Sequence, residues 1–376
     1  MNLKFKLFLT PAIFVLFFLR ASPSNAQSKY KVWPAEKAMS WYSANPWLVG
    51  SNYITSSAVN QLEMWQATTF DAARIDTELG WAEKLGMNTM RVFLHDLLWQ
   101  DGSHKEFKKR LDRFLTIAAK HHIKPLLVLF DSCWNPNPHL GTQPAPIQGV
   151  HNSGWVQSPG KSTLENEAEY PKLKAYVTGV VGAFAHDDRI LGWDVWNEPD
   201  NLNDMSYVDS KTKIKFIEKL LPQVFDWVRS KHPDQPVTSA VWKGDWSGKK
   251  PLTVLEQIQI DDSDIITFHN YGHEDDFERR VEILERYHRP VLCTEYMARP
   301  IGSTFEKIMP VAKRHHVAIF NWGFVAGKSQ TYIPWDSWQK PSPEMPKVWF
   351  HDIFYADGKV YKPEEVEFIH KTIVEK

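Results

Sequence analysis

Eight short apolar segments alternate with longer amphipathic segments along most of the chain. The candidate strands cover residues 47–53, 89–93, 124–130, 190–196, 236–240, 264–269, 290–294 and 318–322. Helical patterns separate them, near residues 70–85, 105–121, 168–184, 211–231, 252–259, 275–287 and 304–315, and a last one covers 363–374. Strict alternation of strand and helix predicts parallel strands joined by crossover helices. Eight such units are the number that closes a (β/α)8 barrel.

An open, doubly wound sheet is the alternative arrangement of the same elements. Such a sheet usually has a glycine-rich turn after its first strand, and no such turn follows residues 47–53. Barrels of the α/β type can reach about 400 residues as one domain, which accommodates this chain of 376 residues. We therefore predict a single-domain (β/α)8 barrel over residues 27–376.

The first 26 residues have the pattern of an export signal. Lys4 and Lys6 precede an apolar run over residues 7–19, and residues 24–26 (Ser-Asn-Ala) offer a small-x-small cleavage site. The apolar run is shorter than the roughly 20 residues that a membrane-spanning helix needs. We expect a cleaved signal peptide and a mature protein that is secreted or periplasmic, monomeric and free of the membrane.

The charge balance and the histidines argue against several kinds of partner. A formal net charge of −1 disfavours a nucleic-acid partner, because binding to phosphates needs a basic face. The adjacent pairs His121-His122 and His315-His316 fall near helix ends, where solvated histidines are favourable. No metal site and no cofactor are therefore predicted.

The two cysteines, Cys133 and Cys293, are expected to remain free thiols. Cys133 follows the third candidate strand and Cys293 lies in the seventh, on nearly opposite sides of an eight-stranded barrel. A disulfide requires Cα atoms within about 7 Å. Export would permit a disulfide, but this placement argues against one.

Long, tryptophan-rich loops follow several of the candidate strands. The reactive groups of such barrels lie on the loops at the carboxyl ends of the strands. The tryptophans after the third, fifth and eighth strands are Trp134, Trp155, Trp242, Trp246, Trp335 and Trp338. Some of the indole rings must pack the core, but aromatic rings also suit the apolar faces of sugars, and the length and tryptophan content of these loops favour a functional role.

Two glutamates end the fourth and seventh candidate strands. Glu198 occurs in Asn-Glu-Pro at 197–199, and Glu295 occurs in Thr-Glu-Tyr at 294–296. Cleavage of a glycosidic bond needs one carboxyl group to protonate the leaving oxygen and a second to stabilise or attack the sugar carbon. Each glutamate alone could be an ordinary surface residue, but together, at matching strand ends, they indicate a catalytic pair.

The two motifs resemble the clan of retaining glycoside hydrolases that includes the family 5 cellulases and mannanases. In that clan the acid/base glutamate follows an asparagine at the end of the fourth strand, and the nucleophile ends the seventh. The resemblance covers essentially the whole chain after residue 26. It implies that Glu198 is the proton donor and base, and that Glu295 is the nucleophile.

The resemblance also implies roles for polar residues near the pair. Arg91 would keep Glu295 ionised, although it could instead form a structural ion pair with Asp194. Asn197 would hydrogen-bond the sugar 2-hydroxyl. Of two residues after the sixth strand, Tyr271 would orient the nucleophile, whereas His269 could bind substrate or be a core imidazole.

Three tryptophans complete the predicted substrate site. Trp322, at the end of the eighth strand, would form the platform under the reacting sugar, and Trp134 and Trp242 are further candidate substrate-binding residues. Many family 5 members have a histidine just after the third strand, where this chain reads Phe-Asp-Ser-Cys-Trp-Asn at 130–135. This departure puts the identity of the sugar in doubt.

Strand periodicity predicts which of these side chains face the barrel interior. Residues two apart on a strand point to the same side. Asp194, Trp196 and Glu198 should therefore share one side of the fourth strand, and Cys293 and Glu295 one side of the seventh.

Three functions fit this sequence. The first is hydrolysis of a β-linked polysaccharide or oligosaccharide, and the second is transglycosylation through the same intermediate. The third is a non-catalytic carbohydrate-binding barrel, which would not require both carboxylates and Arg91. Whether cleavage is endo or exo depends on whether loops 131–165 and 323–346 close one end of the cleft.

Overall fold

The computed structural model describes residues 30–100, 102–207, 209–342 and 344–375. The proposed signal peptide of residues 1–26 lies outside the described residues. The main sheet consists of eight parallel strands, one in each of the predicted segments. They are β1 (Val49–Tyr53), β2 (Thr89–Phe93), β3 (Lys124–Val128), β4 (Gly192–Asp194), β5 (Val237–Thr238), β6 (Ile266–His269), β7 (Val291–Tyr296) and β8 (Ala318–Asn321).

The strands follow chain order around a barrel. β1 pairs with both β2 and β8, and the ladder continues from β2 to β5 on one side and from β8 to β6 on the other. Backbone hydrogen bonds close the remaining gap, because the N–H of Val241 donates to the carbonyl of Thr267 (3.1 Å) and that of His269 donates to Val241 (3.0 Å). The chain is therefore a single-domain (β/α)8 barrel, and the open-sheet alternative is wrong.

Apart from α1, which precedes β1, the helices follow the strands and pack on the outside of the sheet. They are α1 (Ala35–Ser43), α2 (Gln61–Trp65), α3 (Ala72–Leu85), α4 (Leu97–Gln100), α5 (His104–Lys120), α6 (Lys161–Leu164), α7 (Tyr170–Phe184), α8 (Lys213–Arg229), α9 (Val254–Asp261), α10 (Glu274–Glu285), α11 (Phe305–Arg314) and α12 (Pro363–Val374). The eight predicted helices are all present. Three of the four additional ones, α2, α4 and α6, span only four or five residues, too few for a helical period to be recognised.

The other additional helix, α1, closes the amino-terminal end of the barrel. Ala38 and Tyr42 of α1 pack in one apolar cluster with the interior side chains Leu126, Leu292 and Phe320. The hydroxyl of Tyr42 also donates to the carbonyl of His316 at 2.7 Å. Because this end is filled with apolar side chains, the polar residues of the interior lie toward the other end.

The predicted orientation of the first half of β7 is wrong. Cys293 packs in the cluster between sheet and helices, whereas Leu292 faces the barrel interior. The pairing of β7 with β8 shifts in register between Cys293 and Tyr296. Such an irregularity reverses the side to which the following residues point, and it returns Glu295 to the interior.

The predicted orientation of Trp196 is also wrong. Asp194 faces the interior, but Trp196 packs outside the sheet against Phe130, with ring centroids 5.0 Å apart. β4 ends at Asp194, so strand alternation does not extend to this position. The interior position is taken by Asn197, and Glu198 follows it with a left-handed backbone (φ 43°).

The carboxyl-terminal segment is bound tightly to the barrel. A two-stranded sheet pairs β9 (Val325–Ala326) with β10 (Phe354–Tyr355). Arg299 forms a buried ion pair with Glu365 of α12 (2.6 Å) and donates to the carbonyl of Asp352 (2.9 Å). α12 therefore belongs to the same domain as the barrel.

Both cysteines, Cys133 and Cys293, are buried free thiols, in agreement with the expectation from their strand positions. Within the described residues, no helix combines the length and the apolar character needed to cross a bilayer.

Candidate active site

Arg91 of β2 is the centre of a polar layer at the carboxyl end of the barrel. Its side chain is fully buried and donates hydrogen bonds at 2.8–3.0 Å to Asn52 of β1, Asp194 of β4, Asn197 and Glu295 of β7. A buried guanidinium requires such partners. Both contacts considered for Arg91 are present, because it forms ion pairs with Asp194 and with Glu295.

Glu295 is held by two donors. Its Oε1 accepts from Nη1 of Arg91 and its Oε2 from the hydroxyl of Tyr271, both at 2.8 Å. Burial raises the pKa of Glu295, and the imidazole of His269 opposes that rise. The Glu198 carboxylate adds to the rise in this pKa, whereas Arg91 and Tyr271 oppose it. Glu295 is therefore a buried carboxyl group with donors that favour its ionised form.

Glu198 has neutral partners. Its Oε2 accepts from the amide of Asn201 at 2.7 Å and lies 3.5 Å from the thiol of Cys133, and its Oε1 is 3.0 Å from Nδ1 of His269. Burial raises the pKa of Glu198 to about 7. A carboxyl group with this pKa holds a proton in a useful fraction of molecules at neutral pH.

His269 lies between the two glutamates. Its Nδ1 is 3.0 Å from Oε1 of Glu198 and 3.5 Å from Oε2 of Glu295. Burial lowers the pKa of His269 to about 4, so the ring is neutral at pH 7. A neutral imidazole carries one proton, and placing it on Nδ1 gives a donor to the carboxyl pair.

The same three side chains could in principle hold a cation. Glu198, His269 and Glu295 each offer one ligand atom, and these atoms lie within 4.8 Å of one another. However, Nη1 of Arg91 is 2.8 Å from Glu295, so a metal ion here would meet a fixed positive charge. The residues fit a catalytic carboxyl pair better than a metal centre.

Trp322 provides an aromatic surface beside this polar layer. It is 9% exposed, and its ring contacts Phe93 and Trp155 edge-on at centroid distances of 5.9 and 6.0 Å. The indole N–H of Trp155 donates to Asp131 at 2.6 Å, and Asp131 also accepts from Asn197 at 2.9 Å. Burial raises the pKa of Asp131 to about 6.

Trp134 and Trp242 lie outside the polar layer around Arg91. Trp134 is half-buried and contacts the ring of Trp338 at 6.3 Å. The indole N–H of Trp242 donates to Asp200 at 2.5 Å, and the ammonium group of Lys243 lies 4.4 Å from its ring centroid. Both are aromatic side chains on loops at the catalytic end, and neither belongs to the polar layer around Arg91.

Three residues of the site were not identified from the sequence. Asn52 donates to the carbonyl of Thr294 at 2.8 Å while accepting from Arg91, so it joins β1 to β7. Asn201 and Cys133 contact Glu198 directly. A polar residue in the apolar segment 47–53 was a usable signal for Asn52, whereas nothing local distinguishes Asn201.

The profile of the cellulase family (glycosyl hydrolase family 5) matches residues 86–340 of the chain. Comparison with curated protein sequences gave no match. A GH5_18 structure from Streptomyces cattleya in complex with GlcNAc is similar, with a TM-score of 0.54 and 14% identity over 88% of this chain and 81% of that one.

Two further solved structures are similar in fold. The endo-β-1,4-mannanase of Thermotoga petrophila has a TM-score of 0.55 and 14% identity over 87% of this chain and 76% of that one. The exo-β-1,4-mannosidase of an Opitutaceae bacterium has a TM-score of 0.52 and 19% identity over 87% of this chain, which spans 58% of that one. At these sequence identities, the similarity to the solved structures shows only a shared barrel fold.

Proposed function

The chain belongs to glycosyl hydrolase family 5, and from this premise we propose that it cleaves β-glycosidic bonds with retention of configuration. Membership makes it an O-glycosyl hydrolase with a carbohydrate substrate. The proposal rests on one observation, that one carboxylate oxygen of Glu198 lies within 4.8 Å of one carboxylate oxygen of Glu295. Retaining enzymes have carboxyl groups about 5–5.5 Å apart, whereas inverting enzymes need about 6.5–9.5 Å to admit a water molecule.

The unequal surroundings of the two glutamates support a division of roles. Glu295 has a guanidinium at 2.8 Å, and burial keeps the hydroxyl of Tyr271 protonated by raising its pKa well above 10. These two donors favour the ionised Glu295, which suits a nucleophile. Glu198 has a pKa of about 7 and neutral partners, which suits a proton donor.

In the first step, Glu198 transfers its proton to the glycosidic oxygen as the bond between that oxygen and the anomeric carbon breaks. A carboxylate oxygen of Glu295 forms a new bond to the same carbon, which gives a glycosyl ester and a free alcohol. As Glu295 loses its negative charge, Arg91 retains Asp194 as a partner at 2.8 Å. The guanidinium therefore stays paired throughout the reaction.

In the second step, the deprotonated Glu198 takes a proton from water while the water oxygen attacks the anomeric carbon. The bond to Glu295 breaks, and the sugar leaves with its original configuration. A pKa of about 7 for Glu198 allows the same group to act first as acid and then as base near neutral pH.

Asn197 would bind the sugar in both steps. Its carbonyl oxygen accepts from Arg91 at 2.8 Å, and its amide nitrogen donates to Asp131 at 2.9 Å. An amide nitrogen carries two hydrogens, and the same nitrogen is 4.0 Å from the weakly accepting sulfur of Cys133. A sugar 2-hydroxyl can replace that weak contact.

We also propose that the protein is exported and acts outside the cytoplasm. Residues 1–26 combine two lysines, an apolar run and a small-x-small site. Amino-terminal sequencing of protein recovered from the periplasm or culture medium should begin at Gln27. Recovery of a chain that still begins at Met1 would contradict this proposal.

The configuration of the first product tests the proposed mechanism. Aryl β-glycosides of several sugars should be screened, with mannosides included because similar structures are of mannan-cleaving enzymes. Proton NMR during the first minutes of hydrolysis of the best substrate should show the β-anomer, before mutarotation. Initial appearance of the α-anomer would mean that Glu295 is a base acting through water.

A further inference from the structure

Two long loops at the catalytic end of the barrel are joined to each other. We call residues 129–160 the β3 loop and residues 322–342 the β8 loop. Backbone N–H groups of the β3 loop donate to the β8 loop at 2.9–3.0 Å, in the pairs Gly149 to Gln330, His151 to Ser337 and Asn152 to Ser329. In return, Gln330 donates to the carbonyls of Ile147 (2.8 Å) and Val150 (3.1 Å). These hydrogen bonds hold the β3 loop and the β8 loop together.

The segment that follows β1 fills the space beneath this junction. The carbonyl of Ser56 accepts from the N–H of Lys328 at 3.1 Å, and the amide of Asn60 donates to the carbonyl of Gly154 at 2.9 Å. The Val59 side chain packs so closely on the backbone of the β3 loop that a Cβ at Gly154 would lie 2.2 Å from its Cγ2. Residues 54–60, the β3 loop and the β8 loop thus form a continuous wall.

This wall stands on one side of the catalytic pair. In the barrel, β1 and β2 lie between β8 and β3, so the wall rises over that side. Beneath it, the buried rings of Phe93 and Trp155 contact Trp322. Trp155 of the β3 loop is thus packed directly against Trp322 of the β8 loop.

The position of the acid decides which part of the substrate meets the wall. Glu198 must protonate the departing oxygen, so the leaving group lies beside Glu198, after β4. The sugar that becomes bonded to Glu295 extends in the opposite direction, over Trp322 and toward the wall. Its far end carries the hydroxyls to which a preceding sugar would be linked.

We propose that the wall closes this side of the site behind a single sugar unit, so that the enzyme is an exo-glycosidase acting from the non-reducing end. This inference rests on the proposed retaining β-glycosidase function and specifies its substrate class. Chains enter by their non-reducing ends, and the rest of the chain leaves past Glu198. One monosaccharide is released in each catalytic cycle.

Paired aryl glycosides of the same sugar test the inference on the wild-type enzyme. The p-nitrophenyl β-mannoside and β-glucoside are compared with the corresponding β-1,4-linked p-nitrophenyl disaccharides. An exo-enzyme releases nitrophenol directly from the monosaccharide, but from the disaccharide only after a lag in which one sugar is removed. Immediate release of an intact disaccharide, or a fall in the viscosity of a β-mannan or β-glucan before monosaccharide appears, would overturn the proposal.

The same assay separates this inference from the function on which it rests. Immediate disaccharide release with a β-configured product would leave the retaining mechanism intact and reject only the exo assignment. An α-configured first product would reject the mechanism whatever the pattern of cleavage. The two failures are therefore distinct.

A pair of glycine substitutions links the product pattern to the wall. In Gly149→Ala the new Cβ would lie 1.7 Å from the carbonyl oxygen of Ser342, which forces the loops apart. Gly141→Ala is the matched control, because Gly141 is in the same loop with a similar positive φ and has no atom within 4 Å of a new Cβ. We expect Gly149→Ala to lower the ratio of kcat/KM for the p-nitrophenyl monosaccharide to kcat/KM for the corresponding disaccharide by about tenfold.

The control variant should keep the wild-type ratio. An unchanged ratio in a folded Gly149→Ala protein, with circular dichroism as the check on folding, would show that the wall does not set the preference. If Gly149→Ala does not fold, the lag measured with the wild-type enzyme still decides the proposal.

Discussion

The thiol of Cys133 lies 3.5 Å from Oε2 of Glu198, and its sulfur also accepts from Asn201 at 3.2 Å. Burial raises the pKa of this thiol far above neutrality, so Cys133 is a neutral donor. It donates to the ionised form of Glu198 and thereby opposes the rise in that residue's pKa. Cys133 therefore lowers the pH at which Glu198 loses its proton.

The first prediction concerns the pH dependence of kcat/KM. Because Glu198 must be protonated to act as acid and has a pKa of about 7, activity should fall as pH rises through about 7. Cys133→Ala removes a donor to the carboxylate, so the pKa of Glu198 should rise. The alkaline limb of the profile of kcat/KM against pH should then move to higher pH by about half a unit. Cys133→Ser keeps a donor and should restore the wild-type limb.

A shift of the alkaline limb in the opposite direction would show that the thiol does not donate to Glu198. Asp131, Asp200, His269 and Glu295 also lie near this group, and both Cys133 variants leave them unchanged. The serine variant thus separates loss of the hydrogen bond from a general disturbance of the loop.

The second prediction concerns Glu198→Ala. Loss of the acid should reduce kcat/KM by about 10²–10⁴-fold for substrates with poor leaving groups. Activated aryl glycosides, such as dinitrophenyl glycosides, need little protonation and should still form the glycosyl-enzyme. Turnover should then stall at deglycosylation, and azide should restore it and give a β-glycosyl azide. An equal loss on all substrates, without azide rescue, would contradict the acid/base role.

The third prediction concerns Glu295→Ala. Without the nucleophile no covalent intermediate can form, so kcat should fall on the order of 10⁵-fold or more on every substrate. Incubation of the wild-type enzyme with a 2-deoxy-2-fluoro aryl glycoside should label the peptide that contains Glu295, as measured by mass spectrometry. Glu306→Ala, an exposed glutamate at the start of α11, is the control and should retain activity. A Glu295→Ala enzyme with near-normal turnover would eliminate the assignment.

The fourth prediction compares two buried arginines. Arg91→Lys cannot reproduce the simultaneous bonds to Asp194 and Glu295, so kcat/KM should fall by about 10²–10³-fold. Arg229→Lys is the matched control, because Arg229 forms a buried ion pair with Asp264 at 3.0 Å at the opposite end of the barrel. It should lower the melting temperature without a comparable change in kcat/KM. Equal kinetic losses in both variants would mean that Arg91 acts only through stability.

Local sequence patterns were sufficient for the architecture and for the centre of the site. Each strand is a short apolar segment with its own signal, and the order of strands in a barrel follows the order of the chain. The expectation that Glu198 and Glu295 would lie at matching ends of two strands therefore needed no knowledge of packing. Arg91 was identified through the resemblance to the family 5 clan, as the charged residue of the second strand.

The details that sequence patterns missed depend on contacts between distant segments. The register shift in β7 and the end of β4 at Asp194 reverse the predicted orientation of Cys293 and Trp196. Alternation assumes a regular ladder, and nothing local signals where the ladder breaks. Likewise, the junction between Gly149 and Gln330 joins residues far apart in sequence, and no periodic pattern records such a pairing.

The hydrogen bonds of Arg91 connect the timing of folding to the appearance of activity. This one side chain binds residues of β1, β4 and β7, so the reactive carboxyl groups reach their working distance only once the circle of strands is complete. The barrel is complete only when β8 pairs with β1. A nascent chain that lacks this last strand therefore contains both glutamates but should be inactive. Hydrolysis is thus a late reporter of assembly, because it requires the last strand of the barrel to be in place.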